Sequence, residues 1–196
     1  MKIISQEIFN SIEVKKSVFL GFVFSSDLFE MKMRDLKQEH PKAVHFVYAY
    51  RLMEKGQIVE RFSDDGEPKG SSGMPMLNVL RGYDLINSAA IVVRYFGGTL
   101  LGVGGLVRAY TQSVVSCIKD AQTRCLLKDY VIQKQEEIQC PYALLNKVEY
   151  IAKTLGIEIT KDNFGADSVV LRVCGMQEKL DIFLSKYYDL QHNLGG

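Results

Sequence analysis

RFSDDGEPKGSSGMPMLNVLRGYDLINSAAIVVRYFGGTLLGVGGLVRAY, residues 61–110, carries the densest local pattern in the chain. Within it NSAAIVVRYF (87–96) has a continuous apolar centre, which predicts a central strand. The glycine-rich turn GGTLLGVGG (97–105) leads from that strand into a helix from about Leu106 to Ala121. There Leu106, Tyr110, Val114, Cys117, Ile118 and Ala121 share one face at helical spacing, so that face packs on the sheet. Upstream, DDGEPKGSSG (64–73) is too polar and glycine-rich for core structure. Met74 to Arg81 then predicts a short helix, with Pro75 in its first turn and Gly82 as its stop.

Towards the N-terminus, SVFLGFVF (17–24) is rich in branched and aromatic side chains and reads as a strand. Asp27 precedes Glu30 at capping-box spacing and opens a helix, which ends at His40-Pro41 because proline disfavours helical backbone in the residue before it. AVHFVYAYRLM (43–53) and IVERFS (58–63) flank a turn at Gly56 and predict an antiparallel hairpin.

A second unit follows. YVIQKQEEIQ (130–139) reads as a strand, YALLNKVEYIAKTLG (142–156) as a helix stopped by Gly156, and IEITKDNF (157–164) and DSVVLRVCG (167–175) as strands. A helix from about Gln177 to Lys186 and a final strand near Tyr188–His192 complete a split β-α-β order of the ferredoxin-like kind. The closing NLGG is expected to fray. The boundary falls near 126–130, giving domains 1–128 and 129–196. Charge also changes sign there: residues 1–128 hold 17 Lys and Arg against 13 Asp and Glu, a net of +4, and residues 129–196 hold 7 against 10, a net of −3.

With 196 residues, 47% hydrophobic, 24% charged and a net charge of +1, the chain is an ordinary globular sequence rather than a disordered one. The small charge excess does not make nucleic acid the default partner. No run approaches the roughly 18 apolar residues of a membrane span, and MKIISQEIFNSIEVKK lacks the apolar core of a secretory signal. Cys117, Cys125, Cys140 and Cys174 have no metal-binding spacing, with one another or with His40, His45 and His192. Reduced thiols in a cytoplasmic protein are the expectation.

Two clusters could carry chemistry. In the glycine turn, Gly97, Gly98, Gly102, Gly104 and Gly105 permit positive φ and let backbone N–H groups converge at a helix N-terminus, a natural anion site. Arg94 just before it and Arg108 one turn into the helix add charge, although neither the P-loop nor the dinucleotide pattern is present. Tight strand-to-helix packing explains the same glycines equally well. Asp64, Asp65 and Glu67 could hold a cation or supply a base. Asp-Gly and Glu-Pro are also turn formers, and chemistry alone favours that reading. His45, on a strand face with Val47, Ala49 and Arg51, reads as a structural histidine, and Ser71 and Ser72 as hydroxyl caps of the Pro75 helix.

DDGEP, VVRYFGG and LGxGGLVRAY at this separation, with HFVYAYR at 45–51, strongly resemble the YigZ/IMPACT family over about half of the chain. The second unit matches that family's bacterial C-terminal domain by pattern and length. The resemblance implies an α+β protein. Its N-terminal domain would have the left-handed β-α-β fold shared by the second domain of a small-subunit ribosomal protein and the fourth domain of elongation factor G. Its C-terminal domain would be ferredoxin-like, similar to the fifth domain of that factor. It also implies RNA or nucleotide binding and, from eukaryotic relatives, regulation of translation through a stress-kinase pathway. The partner-binding N-terminal domain of those relatives is absent here, so that partnership is not carried over.

The implied binding residues are His45, Asp64, Asp65, Glu67, Lys69, Ser71, Arg94, Tyr95, Gly97, Gly98, Gly102, Gly104, Gly105 and Arg108. Ser71-Ser72-Gly73 replaces the usual Thr-Ala-Gly, retaining a hydroxyl, and Leu100 stands where a lysine is usual, removing a cation from the anion site. The leading expectation is a non-enzymatic, translation-linked binding protein that contacts RNA, the ribosome or another phosphate-bearing ligand through the glycine turn, with no cofactor and no membrane. A protein-interaction module comes second. Third is a small enzyme in which Asp64, Asp65 and Glu67 carry a metal and His45 handles a proton. The oligomeric state is not assigned.

Overall fold

The structure is a computed structural model that describes residues 1–54, 56–131 and 133–192. The fold is mixed α+β, and the chain divides into two compact units, Met1–Tyr130 and Val131–Gly196.

The first unit contains β1 (Lys2–Ile4), β2 (Ile8–Val14), β3 (Ser17–Ser25), α1 (Phe29–Glu39), β4 (His45–Glu54), β5 (Gln57–Ser63), α2 (Gly73–Gly82), β6 (Ser88–Tyr95), α3 (Gly102–Thr123) and β7 (Leu127–Asp129). Five strands form an antiparallel sheet in the order β2-β3-β6-β4-β5, and β1 pairs with β7. The apolar run expected as a central strand is β6, in the middle of the sheet and buried along almost its whole length. Its side chains alternate between two cores. Ala90 and Val92 face α2 and α3 with Leu77, Leu80, Tyr110 and Val114; Ala89, Ile91 and Val93 face α1 with Phe24 and Leu36.

Three local expectations need correction. Asp27 caps nothing: a 3-10 turn, Ser26–Leu28, precedes α1, whose first residue is Phe29, and neither makes a side-chain cap. The stretch left unassigned at the N-terminus contains β2, where Ile8, Asn10, Ile12 and Val14 point inward and Phe9, Ser11 and Glu13 outward. α3 starts at Gly102, inside the expected glycine turn, because the turn closes in the residues before it.

The second unit is β8 (Gln133–Pro141), α4 (Tyr142–Leu155), β9 (Glu158–Phe164), β10 (Ser168–Met176) and α5 (Gln177–His192). Its antiparallel sheet has the order β8-β10-β9, so β10 lies between the two strands that α4 connects. Gly156 ends α4 at φ 69°, the left-handed value glycine adopts without a Cβ penalty. The strand expected at Tyr188–His192 is instead the end of α5. Leu180, Phe183, Leu184, Tyr187 and Leu190 recur at helical spacing and pack on one core, which extends the helix through His192. The expected fraying of NLGG concerns residues 193–196, which lie outside the described residues.

Candidate functional site

Strand alternation decides which site residues meet. Arg94, near the end of β6, shares the α2–α3 face with Val92, and its neighbour Tyr95 turns to the α1 face. There the Tyr95 hydroxyl lies 2.9 Å from His40 Nδ1, so Tyr95 is not part of the Arg94 cluster. Across the sheet Arg94 stands opposite Phe19 of β3 on one side and His45 of β4 on the other. Its guanidinium carbon lies 5.4 Å from the Phe19 ring centroid and 5.7 Å from that of Phe96.

The loop after β5 brings Glu67 to this point. Asp64 anchors one end by accepting N–H groups of Gly70 at 2.8 Å, Ser72 at 3.2 Å and Gly73 at 2.8 Å, and the Ser72 hydroxyl at 2.7 Å. Burial works against its charge, but these four donors outweigh it and hold the carboxyl below its ordinary value of 3.8. Asp64 is thus the N-terminal anchor of α2, the role expected of the serine hydroxyls. Ser72 donates to it, and the buried Ser71 hydroxyl has no partner among the described residues.

Asp65, at φ 43°, ties the loop to β4: its carboxylate accepts the Phe46 N–H at 2.5 Å and its carbonyl lies 2.6 Å from His45 Nδ1. A carbonyl only accepts, so Nδ1 carries the hydrogen and His45 Nε2 is left facing Glu67 Oε2 at 3.9 Å. Glu67 itself is buried. Its Oε1 accepts Arg94 Nη1 at 2.5 Å and the Tyr110 hydroxyl at 2.7 Å. Burial, and then Glu67, push the Tyr110 phenol far above its ordinary range, so it stays a donor.

The three carboxylates therefore diverge: Asp64 to α2, Asp65 to β4, and Glu67 to Arg94 and Tyr110. Among the described residues no group of three His, Cys, Asp or Glu side chains is placed to hold a metal ion. This corrects the arrangement the enzyme reading required. Tyr110 belongs to the site, although its spacing showed only a core residue. The available signal was its chemistry, since a buried phenol needs a hydrogen-bond partner.

The glycine turn combines both of its sequence readings. A Cβ on Gly97 would lie 2.1 Å from the Lys16 carbonyl carbon, and the Gly97 N–H donates to Ser17 Oγ at 3.0 Å, so this glycine serves close packing. Gly98 and Gly102 adopt φ of 82° and 70°. Gly104 faces open space, and a Cβ on Gly105 would touch Leu101. No side chain caps the N-terminus of α3. A cavity of about 280 Å³ lies against it, lined by Arg94, Glu67, Pro68, Gly102, Val103 and their apolar neighbours. Leu100, 83% exposed, stands at its mouth. Arg108 is not brought to Arg94: it lines a separate groove of about 540 Å³ with Lys15 and Gly105. Lys69 is exposed in the loop, next to Pro68 of the Arg94 cavity.

An antiparallel sheet layered between helices, with a buried Arg–Glu–Tyr cluster beside a glycine turn, defines an α+β domain. The chain belongs to the IMPACT family: residues 15–118 match the Impact N-terminal domain. It is 34% identical over 171 residues to an IMPACT family member of Haemophilus influenzae, covering 85% of this chain and 80% of that one. It is 34% identical over 183 residues to the IMPACT family member YigZ of Escherichia coli, covering 90% of this chain and 86% of the relative. A crystal structure described as that of a hypothetical protein superposes with a TM-score of 0.77 at 30% identity, over 97% of this chain and 92% of the other.

Proposed function

We propose that this protein is a non-enzymatic, translation-linked regulator of the cytoplasm that contacts RNA or the ribosome through the cationic face beside its glycine turn. The observation that carries this reading is a group of three cations. Lys15 and Arg108 line one groove, and Lys16 follows Lys15 in the hairpin turn that abuts Gly97. Among the described residues none of the three is ion-paired. Lys15 and Lys16 form the two-residue turn between β2 and β3 at φ of 47° and 65°, where lysine costs more than glycine or asparagine. Two cations kept at a conformational cost point to use rather than to folding.

Family membership supports the link to translation. The reading takes the first unit as the left-handed β-α-β domain of the ribosomal and elongation-factor type, and the second, with its split β8-β10-β9 order, as ferredoxin-like. The enzyme alternative is less well supported, because Asp64, Asp65 and Glu67 turn to three different partners instead of converging.

Co-sedimentation with ribosomes and with free RNA over a salt series tests this. Binding that releases counterions weakens steeply with salt. Association should fall steeply as salt rises and disappear in a Lys15→Glu/Lys16→Glu/Arg108→Glu variant that still folds. Salt-independent association, or none at low salt, would refute the proposal.

A further inference from the structure

We propose that the cavity beside Arg94 captures a free carboxylate carried on an apolar group, namely the C-terminal carboxylate of a partner polypeptide ending in an apolar residue. Arg94 is only 5% exposed, and Glu67 engages just one of its nitrogens, Nη1. Nε is buried without a partner, and Nη2 has none among the described residues. These two nitrogens form one edge of the guanidinium, the fork whose parallel N–H groups match the two oxygens of a carboxylate.

A second donor set lies on the same cavity. Gly102 and Val103 open a helix of 22 residues that no side chain caps, so its first-turn N–H groups have no intrahelical acceptor and its dipole favours negative charge. A carboxylate seated between the fork and the helix end would satisfy both.

Charge and lining select the class of anion. Glu67 already occupies the far edge of the guanidinium, so a doubly charged phosphate monoester would face a fixed negative charge with one arginine between them. A singly charged carboxylate meets that repulsion at half strength. The remaining walls are Pro68, Leu100, Leu101 and Leu106, which suit an apolar side chain rather than a hydrated nucleotide. Phe96, Leu100 and Val103 extend this apolar surface outward as exposed side chains, more than a small acid confined to the cavity would cover. A polypeptide whose last residue enters the cavity covers them, and terminal carboxylates are recurrently held by backbone N–H groups of this kind. This inference does not depend on the proposed RNA contact, which lies at the separate groove of Lys15 and Arg108.

The test titrates the full chain with acetyl-Ala-Ala-Ala-Leu as free acid, with the same peptide as C-terminal amide, and with adenosine monophosphate, reading affinity from the backbone amide resonances of Gly102 and its neighbours by NMR and, in chains that keep Arg94, following its Nε–H resonance. The acid should bind at least about tenfold more tightly than the amide and shift that resonance downfield. Arg94→Lys keeps the charge but removes the fork. Val103→Glu, at an exposed position that does not test folding, places a carboxylate at the cavity mouth. Each should weaken the acid by about tenfold or more. Equal binding of acid and amide, or no response to the acid, overturns the proposal. A response to the monophosphate alone overturns it in favour of phosphate, whatever the outcome of RNA sedimentation.

Discussion

Arg94 and Glu67, 27 residues apart in sequence, form an ion pair at 2.5 Å whose side chains are 6% and 3% exposed. Breaking a buried pair leaves an uncompensated charge, whereas replacing both partners by apolar residues does not. Glu67→Ala should therefore cost about 3–5 kcal/mol, read as a lower urea midpoint at unchanged slope. Arg94→Met/Glu67→Met should recover most of that loss. A single variant within about 1 kcal/mol of wild type would mean that the pair is solvated in solution.

Asp64 supplies a pH-dependent part of stability. Its carboxyl titrates below its ordinary value of 3.8 in the folded chain, so its contribution is complete above that value and is lost as pH falls through the folded one. Urea unfolding of wild type should show an acid limb below about pH 4 that Asp64→Asn flattens. Near neutrality Asp64→Ala should cost about 1–2 kcal/mol as a lost helix anchor. An acid limb identical in Asp64→Asn would assign it to other carboxylates.

Two glycines of the 97–105 stretch, one before α3 and one within it, should respond with opposite sign. Gly97→Ala drives a methyl into the backbone of Lys16 and should destabilise by about 1–3 kcal/mol. Gly104 lies within α3, away from positive φ and facing open space, so Gly104→Ala should stabilise by about 0.5–1 kcal/mol. Thermal melts of the two variants decide it, and equal shifts would contradict the packing geometry.

The Lys15-Lys16 turn sets stability against binding. Lys15→Asn/Lys16→Gly places preferred residues at positive φ and should raise stability by about 1 kcal/mol while weakening RNA co-sedimentation. A stabilised variant that binds as wild type would remove these lysines from the proposed contact.

Thiol reactivity follows burial. Burial pushes the Cys117 thiol up to about 12 and also raises Cys140, whereas Cys125 is exposed. A disulfide exchange reagent should label Cys125 rapidly in the folded chain and reach Cys117 and Cys140 only on unfolding. Fast labelling of Cys117 would show that α3 opens locally.

Much of the fold was local enough to read directly. The apolar run at 87–96 could only be buried on both faces, and the Gly56 turn and the helix before Pro41 followed from backbone chemistry. β2 is hidden in the sequence because Phe9 on the outer face and Asn10 on the inner face break its alternation, and the end of α5 because a short apolar segment suits strand or helix until it is packed.

Of the candidate site, the residue types were legible in the sequence: His45, the Asp64–Glu67 loop, Arg94 and the glycine turn, which the structure gathers at one end of strands β4 and β6. Which of them touch was not, because contact depends on side-chain direction and on strand pairing between distant residues. Alternation sent Tyr95 to the other face, three adjacent carboxylates took three different partners, and Arg108 opened onto a groove of its own. Tyr110, 43 residues from Glu67, joined the cluster only because α3 packs across the sheet at that height. Local sequence determined the elements through backbone sterics and apolar periodicity, and tertiary packing alone decided the site, since a buried charge is stable only where the fold delivers its partners.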